Sequence, residues 1–91
     1  MRCERCGAEL RRMKTVRIEI LRMDEGINER RVGWRVRLTC PNCLVMTTHL
    51  GASVPVLLSG RGKTDETLLE SAEQNALAAA ERFLRGIKPT N

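Results

Sequence analysis

Cys3-Glu4-Arg5-Cys6 and Cys40-Pro41-Asn42-Cys43 are two matching Cys-x-x-Cys pairs, and the architecture follows from what they can bind. Two thiolates three positions apart can face one tetrahedral centre from a tight turn, and two such turns complete a four-sulfur shell. The predicted ligands are therefore Cys3, Cys6, Cys40 and Cys43, and the expected cofactor is one structural zinc ion with no open position for substrate. Gly7 suits the left-handed turn that follows the first pair, whereas Leu44 stands where the second pair would ordinarily have a glycine. A redox dithiol normally opens a helix after a strand, but Leu44–His49 reads as strand, which ranks redox chemistry below metal binding. Iron ranks last, because the chain is basic and has only Trp34 and Phe83 as aromatic residues.

The 33 residues between the pairs read as a long hairpin. Val16, Ile18 and Ile20 alternate with Arg17, Glu19 and Leu21, which predicts a strand from Thr15 to Met23. Asp24–Glu29 is polar and holds Gly26 and Asn28, so it reads as the turn. On the return strand Val32, Trp34, Val36 and Leu38 share one face, opposite Arg31, Gly33, Arg35 and Arg37; Gly33 is read as a bulge, a close backbone approach or a tolerated weak point. Leu44 to Leu50 is the predicted third strand.

This order of knuckle, hairpin, knuckle and strand resembles the zinc-ribbon superfamily over about the first 50 residues. The resemblance implies a binding module of transcription, translation or protein-interaction type. The amino-terminal half, with Met1-Arg2-Cys3-Glu4-Arg5-Cys6 and the distant Cys40-x-x-Cys43, is also similar to the zinc domain of YgiT-type antitoxins. In that family the zinc domain engages a protein toxin and a separate helix-turn-helix binds DNA. The second likeness implies a protein partner, since no helix-turn-helix follows here.

Residues 51–91 read as an extended segment and a helix belonging to the same compact domain as residues 1–50. Pro55 interrupts the apolar run Ala52–Leu58, which predicts an edge strand or a docked extended segment. The helix is expected from about Asp65, with Thr64 as N-cap, Asp65 and Glu66 in its first turn, and Gly86 and Pro89 ending it. Leu69, Ala72, Ala76, Ala80, Phe83 and Ile87 form its apolar stripe, widened by Leu68, Leu77 and Leu84. The stripe is expected to cover the sheet face carrying Trp34, or to pair with its equivalent in a homodimer. The fold class is thus α+β: a small zinc ribbon of three or four antiparallel strands with a C-terminal helix packed on it.

The chain carries 13 arginines and 3 lysines, and the charge is uneven. Residues 1–50 hold 11 basic and 6 acidic side chains, whereas residues 51–91 hold 5 of each. Four thiolates around a doubly positive ion reduce the formal +5 to about +3. Arg31, Arg35 and Arg37, joined by Arg17 from the neighbouring strand and by Arg11, Arg12 and Lys14 near the first knuckle, make a candidate phosphate-binding stripe, because guanidinium forks suit phosphate oxygens. The competing reading is a solvated face interleaved with Glu19 and Glu29. With Trp34 facing the core, backbone contact is favoured over base stacking.

Gly62-Lys63-Thr64 ahead of a helix invites a phosphate-loop reading, but the first glycine of that motif would fall at Leu57, and nucleotide hydrolysis is rejected. The same loop and helix resemble the end of a double-stranded RNA-binding domain, through Gly60, Gly62, Thr64 and Ala72–Ala76. Asp65 and Glu66 stand where that family places lysines. His49, the one histidine, reads as a strand surface residue. No catalytic set can be assembled, so the expectation is no enzyme. With Cys3 so near the first residue and no apolar run of membrane length, the expected location is cytoplasmic. The function expected is a non-catalytic, zinc-stabilised module contacting nucleic acid or a nucleic-acid-handling assembly; the alternative is a protein–protein adaptor.

Overall fold

The computed structural model describes residues 1–90. Its spine is β3 (Glu29–Thr39), whose two-residue alternation buries Val32, Trp34, Val36 and Leu38 on one face. Four shorter strands pair antiparallel with it: β1 (Arg11–Arg12), β2 (Glu19–Asp24), β4 (Met46–Leu50) and β5 (Val54–Leu57). A strand has only two edges, so the register sorts these partners. Leu38 lies opposite both Arg12 and Thr47, Arg35 opposite both Glu19 and Leu50, and Val32 opposite both Arg22 and Val54. Hence β1 and β2 run along one edge, and β4 and β5 along the other. The expected three or four strands become five, because each flank of a three-ribbon meander is broken once.

The two breaks have different causes. Between β1 and β2, the six residues Met13–Ile18 face only Val36 and Arg37, so the surplus chain bows away and the ladder begins at Glu19 rather than at the predicted Thr15. Val16 and Ile18 still pack on the core. Between β4 and β5, Gly51–Ser53 face Gly33 and Trp34, a surplus of one residue. A Cβ on Gly51 would lie 1.8 Å from Trp34 Cε2, so only glycine fits beneath the indole. Gly33 makes the close approach considered from sequence, its Cβ position being 3.3 Å from the Ser53 Cβ. β4 also starts two residues later than predicted, at Met46.

The helix α1 (Lys63–Arg85) lays Leu69, Ala76 and Ala80 on the face bearing Val32, Trp34 and Val36. The stripe from Leu69 to Phe83 thus packs on this chain's own sheet, whereas Leu68 is exposed and Ile87, expected on the stripe, lies beyond the end of the helix. Its start differs from expectation: Thr64 lies inside the first turn, Gly62 precedes the helix at φ 59, and no side chain caps it. The buried Asp65 carboxylate turns back instead, accepting hydrogen bonds from Ser59 N–H (2.8 Å), Ser59 Oγ (2.9 Å) and Arg61 N–H (2.9 Å). At the other end Gly86 N–H bonds the carbonyl of Phe83 and Ile87 N–H that of Leu84, both at 3.1 Å, tightening the last turn. His49, expected on the strand surface, is half-buried: it stacks on Phe83 with centroids 4.4 Å apart and lies 5.6 Å from Trp34. The reason is register, since His49 pairs with inward-facing Val36.

Beyond the helix the chain docks beside β1. Arg12 N–H bonds the Lys88 carbonyl (3.0 Å) and Thr90 N–H bonds the Arg12 carbonyl (2.8 Å), while Ile87 packs near the cysteines. The molecule is elongated, 50 × 21 × 15 Å, with the cysteine knuckles at one end and the Asp24–Glu29 hairpin turn at the other.

Candidate metal centre and cationic sheet face

Each Cys-x-x-Cys pair closes the same backbone turn. Gly7 N–H bonds the Cys3 carbonyl (2.8 Å) and Leu44 N–H the Cys40 carbonyl (2.9 Å). Cys3 N–H bonds the Ala8 carbonyl (2.8 Å), and Cys40 N–H bonds the Val45 carbonyl (3.0 Å). The residue after each pair adopts positive φ, 76° at Gly7 and 60° at Leu44, so leucine takes the conformation that glycine takes in the first knuckle. β3 delivers Cys40 directly, and the buried pair Leu10 and Leu38 supports Cys3 and Cys40 from below.

The four Sγ atoms lie within 4.8 Å of one another. A tetrahedron with metal–sulfur bonds of about 2.3 Å has sulfur–sulfur edges of about 3.8 Å, so this cluster fits one ion after small adjustments. Cys6 and Cys40 Sγ are already 3.5 Å apart, and Cys43 N–H points to Cys40 Sγ at 3.3 Å. The Ala8 backbone, then the Asn42 side chain and neighbouring thiols, hydrogen-bond to Cys6 and lower its pKa to about 6. Cys43 is pushed up to about 12 by its hydrogen bond with Cys6, then by burial and the other thiols. Thiols this close cannot all ionise unless a cation offsets their repulsion, which is the electrostatic counterpart of the distances. The four cysteines are arranged to hold a metal ion. Asn42 and Ala8 were not singled out from sequence; only the turn geometry places them at the sulfur.

The seven predicted cationic residues divide into engaged and unengaged groups. Arg31, Arg35 and Arg37 share the outer face of β3, opposite the helix. Arg35 pairs with Glu19, and Arg35 Nε is buried without a partner among the described residues. Arg31 bonds Ser53 Oγ at 3.1 Å and lies 3.7 Å from Glu25. Arg12 Nε bonds the Ile87 carbonyl (3.0 Å) and Arg11 the Pro89 carbonyl (3.4 Å), so both fasten the C-terminal segment. Arg17, Arg37 and Lys14 are exposed, and among the described residues none makes a side-chain hydrogen bond or ion pair. Arg17 and Arg37 flank a hollow of about 270 Å³ at the β1–β2 break. The Arg35 hydrogen bond holds the Glu19 carboxyl below its usual range, and Arg37 and Arg17 add to this through space.

No family model, curated protein or solved structure matches this chain. Among the described residues no helix is long and apolar enough to cross a membrane.

Proposed function

We propose that this chain is a non-catalytic binding module, built around one structural zinc ion and contacting nucleic acid through the outer sheet face beside the metal. Zinc is favoured because four cysteines form a closed tetrahedral donor set, with soft ligands and no place for a reacting group. Reduced thiolates suit a reducing compartment, and the cytoplasm is the corresponding assignment.

The observation that carries the nucleic-acid reading is that Arg17, Arg37 and Lys14, on the basic half of the chain, are solvent-exposed and without a hydrogen-bond or ion-pair partner among the described residues. Phosphate contact through such side chains releases counterions, so binding should weaken steeply with salt. The test is purification of the native protein with and without nuclease. Co-purified RNA or DNA that is lost in high salt supports this reading; its absence under low-salt conditions counts against it.

A second reading, a protein–protein adaptor, is favoured by a different surface. Val54, Leu57 and Leu68 are 58, 74 and 45 % exposed around an apolar groove between β5 and α1, and Ile27 is 93 % exposed at the hairpin turn. Protein partners retained after nuclease treatment would favour it.

A further inference from the structure

We infer that the break between β1 and β2 is a seat for a single phosphate group, held by Arg17 and Arg37. The identity of the phosphate's parent molecule rests on the nucleic-acid reading above; the seat itself rests on four features of the break.

The first is backbone: among the described residues Met13–Ile18 form no backbone–backbone hydrogen bond, and Val36 and Arg37 have no ladder partner on that edge. Donors that a continuous strand would consume are therefore left for solvent or an anion. The second is charge. Arg17 and Arg37 stand at the hollow without ion pairs, and Glu19, the one acid lining it, is already taken by Arg35. The third is the wall: Met13, Val16 and Met46 line part of the hollow and partly shield the two guanidinium groups from water. The fourth is shape: the hollow of about 270 Å³ is open to solvent on one side and has room for a phosphate group that remains attached to a larger molecule outside it. Thr15 adds a hydroxyl donor to the lining. The surplus chain that spoils the ladder thus makes a concavity on the outer face flanked by two guanidinium groups that, among the described residues, make no hydrogen bond or ion pair.

Titration of the full chain, as isolated with its metal, with millimolar inorganic phosphate and separately with a short nucleic-acid duplex would test this by amide chemical shifts. Phosphate should move the amides of Thr15–Arg17 and Arg37, with those shifts lost in the Arg17→Gln/Arg37→Gln variant and kept in Arg31→Gln. For the duplex, the double variant should reduce the slope of log affinity against log salt by about 2, and Arg31→Gln should leave it nearly unchanged. Phosphate shifts without duplex binding would uphold the seat, assign it to a free phosphate compound and remove the nucleic-acid reading. Duplex binding with unaltered slope in the double variant, or phosphate shifts confined to other residues, would overturn the seat while leaving the broader function standing. The wild-type titration reads the seat even if a variant folds poorly.

Discussion

Leu44 holds the left-handed conformation, φ 60, that its counterpart Gly7 adopts without a Cβ penalty. That conformation costs an L-residue about 1–2 kcal/mol, while replacing it with glycine costs about 0.5–1 kcal/mol in unfolded-chain entropy. Leu44 is 81 % exposed, so little buried area is at stake. Leu44→Gly should therefore raise the stability of the metal-loaded protein by about 0.5–1 kcal/mol in denaturant unfolding; a loss would mean that Leu44 makes a contact absent from this fold. Gly51 is the opposite case. Its missing Cβ is occupied by the Trp34 ring, so Gly51→Ala should cost about 3 kcal/mol, the upper end for overpacking. Unfolding within 1 kcal/mol of wild type, by the same measurement, would contradict that packing.

At the scale of elements, α1 is tied to the sheet differently at each end. Near its start Arg22 bridges Glu66 (3.0 Å) and Glu73 (2.7 Å), linking β2 to the helix. These half-exposed pairs contribute about 0.2–1 kcal/mol each and weaken in salt, so apolar burial of Leu69, Ala76 and Ala80 dominates the attachment. Asp65 folds the Ser59–Arg61 loop around its carboxylate, whose pKa is lowered by the Ser59 N–H first, against the opposing effect of burial, and further by Ser59 Oγ and the Gly60 and Arg61 backbone. Because the folded value is depressed, the stabilisation is fully present above the ordinary aspartate range and is lost as pH falls through that range toward the folded value. Asp65→Asn should thus destabilise near neutral pH, and its deficit relative to wild type should shrink in acid. A deficit that stays constant down to the folded value would show that the carboxylate's charge is unimportant.

The whole molecule has two packed clusters, one around Trp34 and α1 and one around Cys3, Leu10, Leu38 and Cys40, and Phe83 and Leu84 touch both. The metal end also anchors Ile87–Thr90 through Arg12, joining the chain's beginning to its last described residues. Since a small chain buries a limited core and the proposed structural zinc would supply on the order of 10–16 kcal/mol, chelation should remove protection from the Arg12, Lys88 and Thr90 region and lower the unfolding midpoint of the entire chain. Retention of native hydrogen exchange throughout after complete metal removal would refute that coupling. Charge is also sorted along the long axis. Arg30–Asp24, Arg31–Glu25 and Arg22 with its two glutamates neutralise the hairpin end, whereas Arg17, Arg37 and Lys14, nearer the cysteines, form no ion pair among the described residues.

Spacing along the chain is enough to establish the two cysteine turns, the inward row Val32, Trp34, Val36 and Leu38, and the apolar stripe of the helix from Leu69 to Phe83. A three-residue loop, a period of two or a period of 3.6 is complete within its own segment. Where the flanking strands break is set by strand pairing in three dimensions, because a surplus residue is defined by what lies across the ladder. The same holds for individual side chains. His49 turns toward the helix because its register partner is Val36, and Arg11, Arg12, Arg31 and Arg35 are drawn from the candidate phosphate stripe by partners 16 to 78 positions away along the chain. Which arginines keep their charge for a ligand is therefore a property of the pairing, and composition alone does not contain it.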